Sequence, residues 1–333
     1  MEKVTIKDVA KEARVAISTV SNALNNSELV NEETRTRIIE IAERMNYVPN
    51  LSGRHLKSGK SHMLGFFTSS ISGEYFSTLL ESMNRQCSEL GYALNVLISR
   101  DRLFIKSQIL GKRFDGIFIF QGERIDQSDL NLIEKHQIKT ILLDRAYQSH
   151  CIGSVVFDSY LAGYTVTKHL INLGHKKIAF IGGSADIYDS IERKRGVLDA
   201  MKEYHLPVPE EYIMNGFFDE LLTYNIVTVF IKSRTAEMPD AFIAGNDQSA
   251  IGCMKALMDQ GYRVPNDVSV IGFDDISISQ YFTPKLSTVH NPINLQGITA
   301  SKMLVEMVEN DKDGRTEQLS GNFISRESSA LVI

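Results

Sequence analysis

The sequence predicts a small all-α N-terminal head joined to an α/β core of two doubly wound parallel-sheet subdomains. Three observations carry this expectation. Apolar residues recur at helical spacing through the first 46 residues. A polar, basic, glycine-containing stretch at 50–61 then interrupts the pattern. Beyond His62, short continuous apolar runs alternate with amphipathic ones, as expected for strands buried on both faces by helices. A chain of 333 residues is also too long for one ordinary core.

Taken in order, Ile6, Val9, Ala10 and Ala13 mark a first helix, and Val20 and Leu24 form the inner face of a second over Ile17–Asn25. A third is expected from about Glu32 to Asn46, with Ile38, Ile41, Ala42 and Met45 inward and Asn31 as its N-cap. Pro49 ends the pattern, and 50–61 reads as a linker with room for a turn or two of helix. Strands are expected at 63–69, 93–98, 116–120, 140–144, 154–158, 177–182, 240–245 and 268–273. Helices are expected at 75–90, 159–173, 190–204 and 247–260. These strands are too many for one modest sheet. Two units side by side would hold a ligand where their strand C-termini face each other.

Composition narrows the function. At 43% hydrophobic and 23% charged, the chain is neither fibrous nor disordered. No apolar run approaches the roughly 20 residues of a membrane helix. The N-terminal MEKVTIKDVAKEA lacks the apolar region of a secretory signal, so a cytoplasmic protein is expected. Cys87, Cys151 and Cys253 are few and far apart, which suits buried thiols better than disulfides or a metal site. Charge is uneven. Residues 1–60 hold ten Lys/Arg against eight Asp/Glu, whereas the remainder holds 26 against 33. A locally basic segment ahead of an acidic body suits DNA phosphate contacts.

Thr5-Ile6-Lys7-Asp8-Val9-Ala10 followed by Val15 to Asn25 is a candidate helix-turn-helix. Ala10 and Val20 would pack the two helices. Residues 17, 18, 21 and 22 share one face within about 140° and offer short polar side chains to a groove. An ordinary three-helix domain with a solvated face fits the same pattern. Gly53 to Ser61 evokes a phosphate-binding loop, but five residues lie between its glycines instead of four and no strand precedes them. There is no H-E-x-x-H, G-x-S-x-G or G-x-G-x-x-G, so neither an enzyme nor a cofactor is expected.

Residues 4–50 closely resemble the N-terminal domain of LacI/GalR family transcriptional regulators, through VTIKDVAKEA, TVSNALN, Val30 with Thr34-Arg35, and Asn46-Tyr47-Val48-Pro49-Asn50. Later blocks agree in order: Phe114-Asp115-Gly116-Ile117, Leu143-Asp144-Arg145, Leu173-Gly174-His175, Ile178 to Gly183, Asn246-Asp247, Ile271 to Asp275, and Arg326-Glu327-Ser328. The resemblance implies that Ile17, Ser18 and Asn22 face base edges, and that Thr5, Thr19, Ser21, Asn25, Thr34 and Tyr47 touch or position the backbone. Two departures stand out. The family often has a polar residue where this chain has Ala16, and a glycine where it has Arg14. Asn22 stands where many members have a cation. Asparagine pairs better with adenine than with guanine, so a shifted operator is expected. The linker would be the family's hinge helix, with Asn50 and Arg54 matching its motif and Leu56 as the minor-groove wedge. Gly53, usually alanine, would weaken that helix by about 1 kcal/mol.

The remaining residues resemble the family's periplasmic-binding-protein-like core. This implies a head at 1–49, a hinge at 50–61, and a core at 62–333 whose halves comprise 62–157 with 289–318 and 158–286 with 320–333. The implied effector-binding residues are Arg193, Asn246 and Asp274, with Asp144 and Ser69 at strand ends and Tyr75, Phe76 and Phe218 as ring-stacking groups. Asp247 and Asp275 are expected to be helix caps, and His175 to satisfy a loop backbone. Residues 99–113 look about eight residues short for the family. The expected whole is a cytoplasmic homodimer on a palindromic operator, repressing carbohydrate-utilisation genes and responding to a small sugar or sugar phosphate. No leucine heptad follows Ser328, so no tetramer is expected. An activator, a corepressor-dependent regulator and a purine-type effector stay open, as does, more remotely, a sugar-binding protein without a DNA role.

Overall fold

The computed structural model describes residues 4–24, 27–48, 60–120, 124–185, 187–234 and 236–332. The chain divides into two compact units, Met1–Ser61 and His62–Ile333.

In the first unit, α1 (Ile6–Ala13), α2 (Ile17–Leu24) and α3 (Glu32–Arg44) bury Val9, Ala10, Val20, Ala23 and Ile38 in one small core. Asn31 caps α3 by accepting from the Thr34 N–H at 2.9 Å, and Glu32 and Glu33 favour the positive end of the helix. Arg35 donates to the Ser27 and Val30 carbonyls at 2.9 and 3.0 Å, which ties the preceding turn to α3.

The second unit contains two six-stranded sheets. The first is built from β1 (Met63–Thr68), β2 (Ala93–Ile98), β3 (Gly116–Phe120), β4 (Thr140–Leu142), β5 (Ile152–Phe157) and β11 (Thr316–Leu319), all parallel, in the order β11-β5-β4-β3-β1-β2. The second holds β6 (Ile178–Gly182), β7 (Ile213–Asn215), β8 (Ala241–Ala244), β9 (Ser269–Asp274), β10 (Ser287–His290) and β12 (Asn322–Ile324), in the order β12-β10-β9-β8-β6-β7. Only β12 runs antiparallel to its neighbour. Strands β5, β6, β8 and β9 are buried along their whole length, the burial pattern of a doubly wound sheet. The flanking helices are α4 (Glu74–Glu89), α5 (Arg102–Leu110), α6 (Gln127–Lys135), α7 (Ser159–Asn172), α8 (Tyr188–Glu203), α9 (Glu220–Ser233), α10 (Asp247–Asp259) and α11 (Ile293–Asn310).

The chain passes between the sheets after β5, after β10 and between β11 and β12. Val289 and His290, expected in the first half, therefore belong to the second, because β10 pairs with β9. Helix α5 occupies the segment that looked trimmed. Asp101 caps it, accepting from the Leu103 and Phe104 N–H groups at 2.9 and 3.1 Å. Helices α7 and α8 touch backbone to backbone. A Cβ on Gly196 would lie 2.1 Å from the Tyr160 carbonyl oxygen, and one on Gly163 would lie 2.3 Å from that of Arg193. This contact seats Arg193 deep beside the second sheet. Cys87, Cys151 and Cys253 are buried free thiols.

Candidate operator interface and effector cleft

In the head, Ile17 and Ser18 are exposed at the start of α2, while Thr19, Ser21 and Asn22 are half-buried along it. Thr5 forms a capping box. Its N–H and hydroxyl both donate to Asp8, at 2.8 and 2.6 Å, and this holds the Asp8 carboxyl below its ordinary value. Thr34 gives its N–H to the Asn31 cap. Tyr47 packs on the head core, which fixes where its hydroxyl can reach. Asn25, Asn50, Arg54 and Leu56 lie outside the described residues.

The two departures at the α1–α2 turn have structural consequences. Ala16 stands at the start of α2. Its carbonyl accepts from Thr19 and Val20 at 2.9 and 3.2 Å, but it has no side-chain oxygen to cap a free N–H. Arg14 has φ 53°, in the left-handed region where glycine is at ease and other residues pay about 1–2 kcal/mol. A cation held there at that cost suits a phosphate contact. Arg14→Gly is expected to stabilise the head by about 1 kcal/mol in thermal unfolding. The same change should weaken operator binding several-fold and reduce its salt dependence by about one ion. Unchanged affinity and salt slope would remove Arg14 from the interface.

In the core, the expected residues form one group beside the first sheet and another beside the second, while Ser69 and Asp144 stand just past β1 and β4. On the first-sheet side, Tyr75 and Phe76 from the first turn of α4 cluster with Phe120 at the end of β3. Ring centroids lie 5.4 Å (Tyr75–Phe76), 5.9 Å (Tyr75–Phe120) and 5.1 Å (Phe76–Phe120) apart. The Tyr75 hydroxyl donates to Gln296 Oε1 at 2.8 Å, and Gln296 is anchored by donating to the Val155 carbonyl at 2.9 Å. Burial, then the nearby Asp189 and Asp274, push the Tyr75 phenol well up, which keeps it a neutral donor.

On the second-sheet side, Arg193 is only 3% exposed. Its guanidinium lies 4.8 Å from the centre of the Phe273 ring, 5.8 Å from Phe157 and 5.9 Å from Phe218. Nη1 donates to the Gly245 carbonyl, and Nη2 lies 3.8 Å from Asp274 Oδ1. Its Nε is buried without a hydrogen-bond partner among the described residues. Asp274 accepts from Asn291 Nδ2 at 3.2 Å and has φ 104°, a strained conformation for a side-chain-bearing residue. Burial raises its carboxyl, while Arg193 and Asn291 pull it back.

Phe218 rests on two glycines. A Cβ on Gly183 or Gly245 would come within 2.2 or 2.8 Å of its ring. Asn246 holds it there, donating Nδ2 to the Phe218 carbonyl at 3.1 Å while Oδ1 caps α10 through the Ser249 N–H at 2.9 Å. Asn246 thus positions the aromatic face of Phe218. Asp144 is buried and held by Arg145 Nε at 3.2 Å, and Arg145 Nη1 donates to the Ile125 carbonyl at 2.8 Å. Ser69 is half-buried just past β1.

Asp247 and Asp275 are not the helix caps the sequence suggests. Asn246 caps α10. Asp247, the next residue, is fully buried and accepts from the Ile276 N–H (3.0 Å), Ser279 Oγ (2.7 Å) and Thr288 Oγ1 (2.5 Å). Asp275 pairs with Arg326 at 2.5 Å and lies 3.2 Å from His290 Nδ1. His175 Nε2 bonds the Ala330 carbonyl at 3.0 Å, fixing the C-terminal segment. Sequence reasoning missed Phe157, Phe273, Asp189, Asn291 and Gln296. The two phenylalanines read as strand core, and the three polar residues carry no local signal. Among the described residues, no cluster fits a metal ion, and no helix is long and apolar enough to cross a membrane.

A family model described as bacterial regulatory proteins, lacI family, matches residues 5–50, and one described as a periplasmic binding protein-like domain matches residues 167–329. The chain is 34% identical over 331 residues to "Probable HTH-type transcriptional repressor ExuR" of Bacillus subtilis (strain 168), with 98% of each chain covered. It is 30% identical over 331 residues to the HTH-type transcriptional repressor PurR of Aliivibrio fischeri (strain MJ11), covering 97% of this chain and 98% of that one. The Lac repressor dimer bound to operator and the anti-inducer ONPF matches the fold with a TM-score of 0.85 at 24% identity, over 99% of this chain and 100% of that chain. With a helix-turn-helix head, a two-sheet core and similarity along its whole length, the chain belongs to the lacI family of bacterial regulatory proteins and is a DNA-binding transcriptional repressor, not an enzyme.

Proposed function

We propose that this repressor represses carbohydrate-utilisation genes from a palindromic operator in the cytoplasm, as a homodimer, and that a small sugar or sugar phosphate in the core cleft changes its operator affinity. The observation that carries the ligand reading is Arg193: buried, flanked by three aromatic rings, beside Asp274, with a ring nearby on Tyr75. A guanidinium and a carboxylate side by side satisfy neighbouring hydroxyls, and aromatic faces pack on a sugar ring. Ser69, Tyr75, Phe76, Asp144, Arg193, Phe218, Asn246 and Asp274 form the proposed ligand set. Thr5, Ile17, Ser18, Thr19, Ser21, Asn22, Asn25, Thr34 and Tyr47 form the proposed DNA set, with Asn50, Arg54 and Leu56 in the hinge. Two-fold symmetry of the dimer matches two half-sites, and the three crossings between the sheets let ligand change the angle between the core halves. The PurR relatives support a second reading, a planar purine-type ligand between the same aromatic faces.

Fluorescence anisotropy on an operator selected from random DNA, with and without sugars, sugar phosphates and purines, tests this. Tight, salt-sensitive binding released by one sugar is the expected result. Release or strengthening by a purine alone would replace the sugar reading, and ligand-strengthened binding would make the small molecule a corepressor.

A further inference from the structure

The cleft contains a carboxylate outside the expected ligand set. Asp189 lies in the first turn of α8, one helical turn before Arg193, and is half-buried. It accepts from Ser159 Oγ at 2.6 Å, which fixes it against the start of α7, where the chain has just crossed from the first sheet. Its charge acts on Tyr75 from the first-sheet side and on Asp274 from the second. Arg193 is the cation that acts on the same two groups. Other charges close by are engaged elsewhere or are acidic. Arg145 holds Asp144 and the Ile125 carbonyl, Arg326 holds Asp275, and Asp158 caps α7 through the Leu161 N–H at 3.0 Å. Glu192 and Arg195, which flank Tyr188, pair with each other.

Asp189 stands four residues before Arg193 on α8, so the two share one helix face, and Asp274 Oδ1 lies 3.8 Å from Arg193 Nη2 on the other side, while the guanidinium already donates to the Gly245 carbonyl. A phosphate monoester or carboxylate reaching the unpaired Nε of Arg193 would bring a further negative charge beside Asp189 and Asp274. In a largely buried site that repulsion exceeds what one shared cation returns. A hydroxyl or ammonium group would instead donate to Asp189. We propose that Asp189 is a charge filter, so that the effector is a neutral polyol or an amino sugar while its phosphorylated and carboxylate counterparts are rejected. This rests on the cleft being the effector site, and it narrows the sugar-or-sugar-phosphate reading.

The test is calorimetric titration of the full-length protein with matched sets: glucose, galactose and ribose, the amino sugars glucosamine and galactosamine, the corresponding sugar phosphates, and glucuronate and galacturonate. Asp189→Asn keeps an acceptor for Ser159 and removes the charge, and Asp189→Ser is a smaller second variant. Melting temperatures close to that of the unsubstituted protein establish that both fold. The expected result is that the native protein binds a neutral or amino member best. In both variants the affinity of the phosphate or acid relative to its neutral or amino counterpart should rise at least about tenfold. A native protein that prefers the phosphate or acid, or a discrimination that neither variant changes, overturns the filter. If none of these compounds binds any of the proteins while operator binding persists, the polyol reading of the cleft fails, and the filter with it.

Discussion

Arg193→Met is expected to abolish the response to ligand while the repressor still binds operator DNA. Methionine fills much of the arginine's volume and keeps contact with Phe157, Phe218 and Phe273, so the second sheet need not collapse. It removes the guanidinium that donates to the Gly245 carbonyl and lies 3.8 Å from Asp274 Oδ1. Deleting one partner of a buried charge pair costs about 2–5 kcal/mol, so ligand affinity should fall by roughly 100-fold or more. The head has its own core in a separate unit, and none of the residues in that core is Arg193. Operator anisotropy should therefore show binding that ligand no longer releases, and calorimetry should show no saturation at concentrations that saturate the native protein. Ligand-responsive repression in the variant would remove Arg193 from the effector site.

Much of this architecture is legible in the sequence because it rests on long, periodic segments. The three helices of the head, the nearly buried strand β1, the fully buried strands β6, β8 and β9, and the helices α4, α7, α8 and α10 each announce themselves by spacing. What escapes is set by partners distant in sequence. Strands β7, β10, β11 and β12 have three or four residues each, and are strands only because neighbouring edges supply their hydrogen bonds. The site divides in the same way. Arg193, Asn246 and Asp274 come from motifs at strand ends and helix starts, where a local pattern predicts position. Asp189 gains its role from Ser159 across the crossing and from Tyr75 on the other sheet, and no local pattern reports either. The adjacent Asn246 and Asp247 show the limit of residue type. Both suit a cap, and only the three-dimensional arrangement assigns the cap to one and the burial to the other.

That burial makes Asp247 the source of a pH-dependent stability. Three donors surround it, yet loss of solvent, and then the nearby Asp274, push its carboxyl up to about 8 from an ordinary value of 3.8. Between those values the folded state holds a proton that the unfolded state has released, so stability is greatest at the acidic end and is lost as pH rises toward 8. His169 acts in the opposite sense. Burial lowers its pKa, so it weakens the fold as pH falls below about 6.5. Above 6.5 the His169 contribution fades while that of Asp247 is lost. Urea unfolding of the native protein should lose about 1–2 kcal/mol from pH 6.5 to 8. Asp247→Asn should be nearly flat there, since its amide can still accept from Thr288 and can donate to Ser279 Oγ. Its stability should be lower at pH 6.5, because the Ile276 N–H loses its acceptor. Parallel pH slopes in the two proteins would assign the proton elsewhere. Two of these bonds, from Ile276 and Ser279, fix the turn that follows Asp274. A change in the charge of Asp247 should therefore also alter ligand affinity, through the position of the carboxylate that faces Arg193.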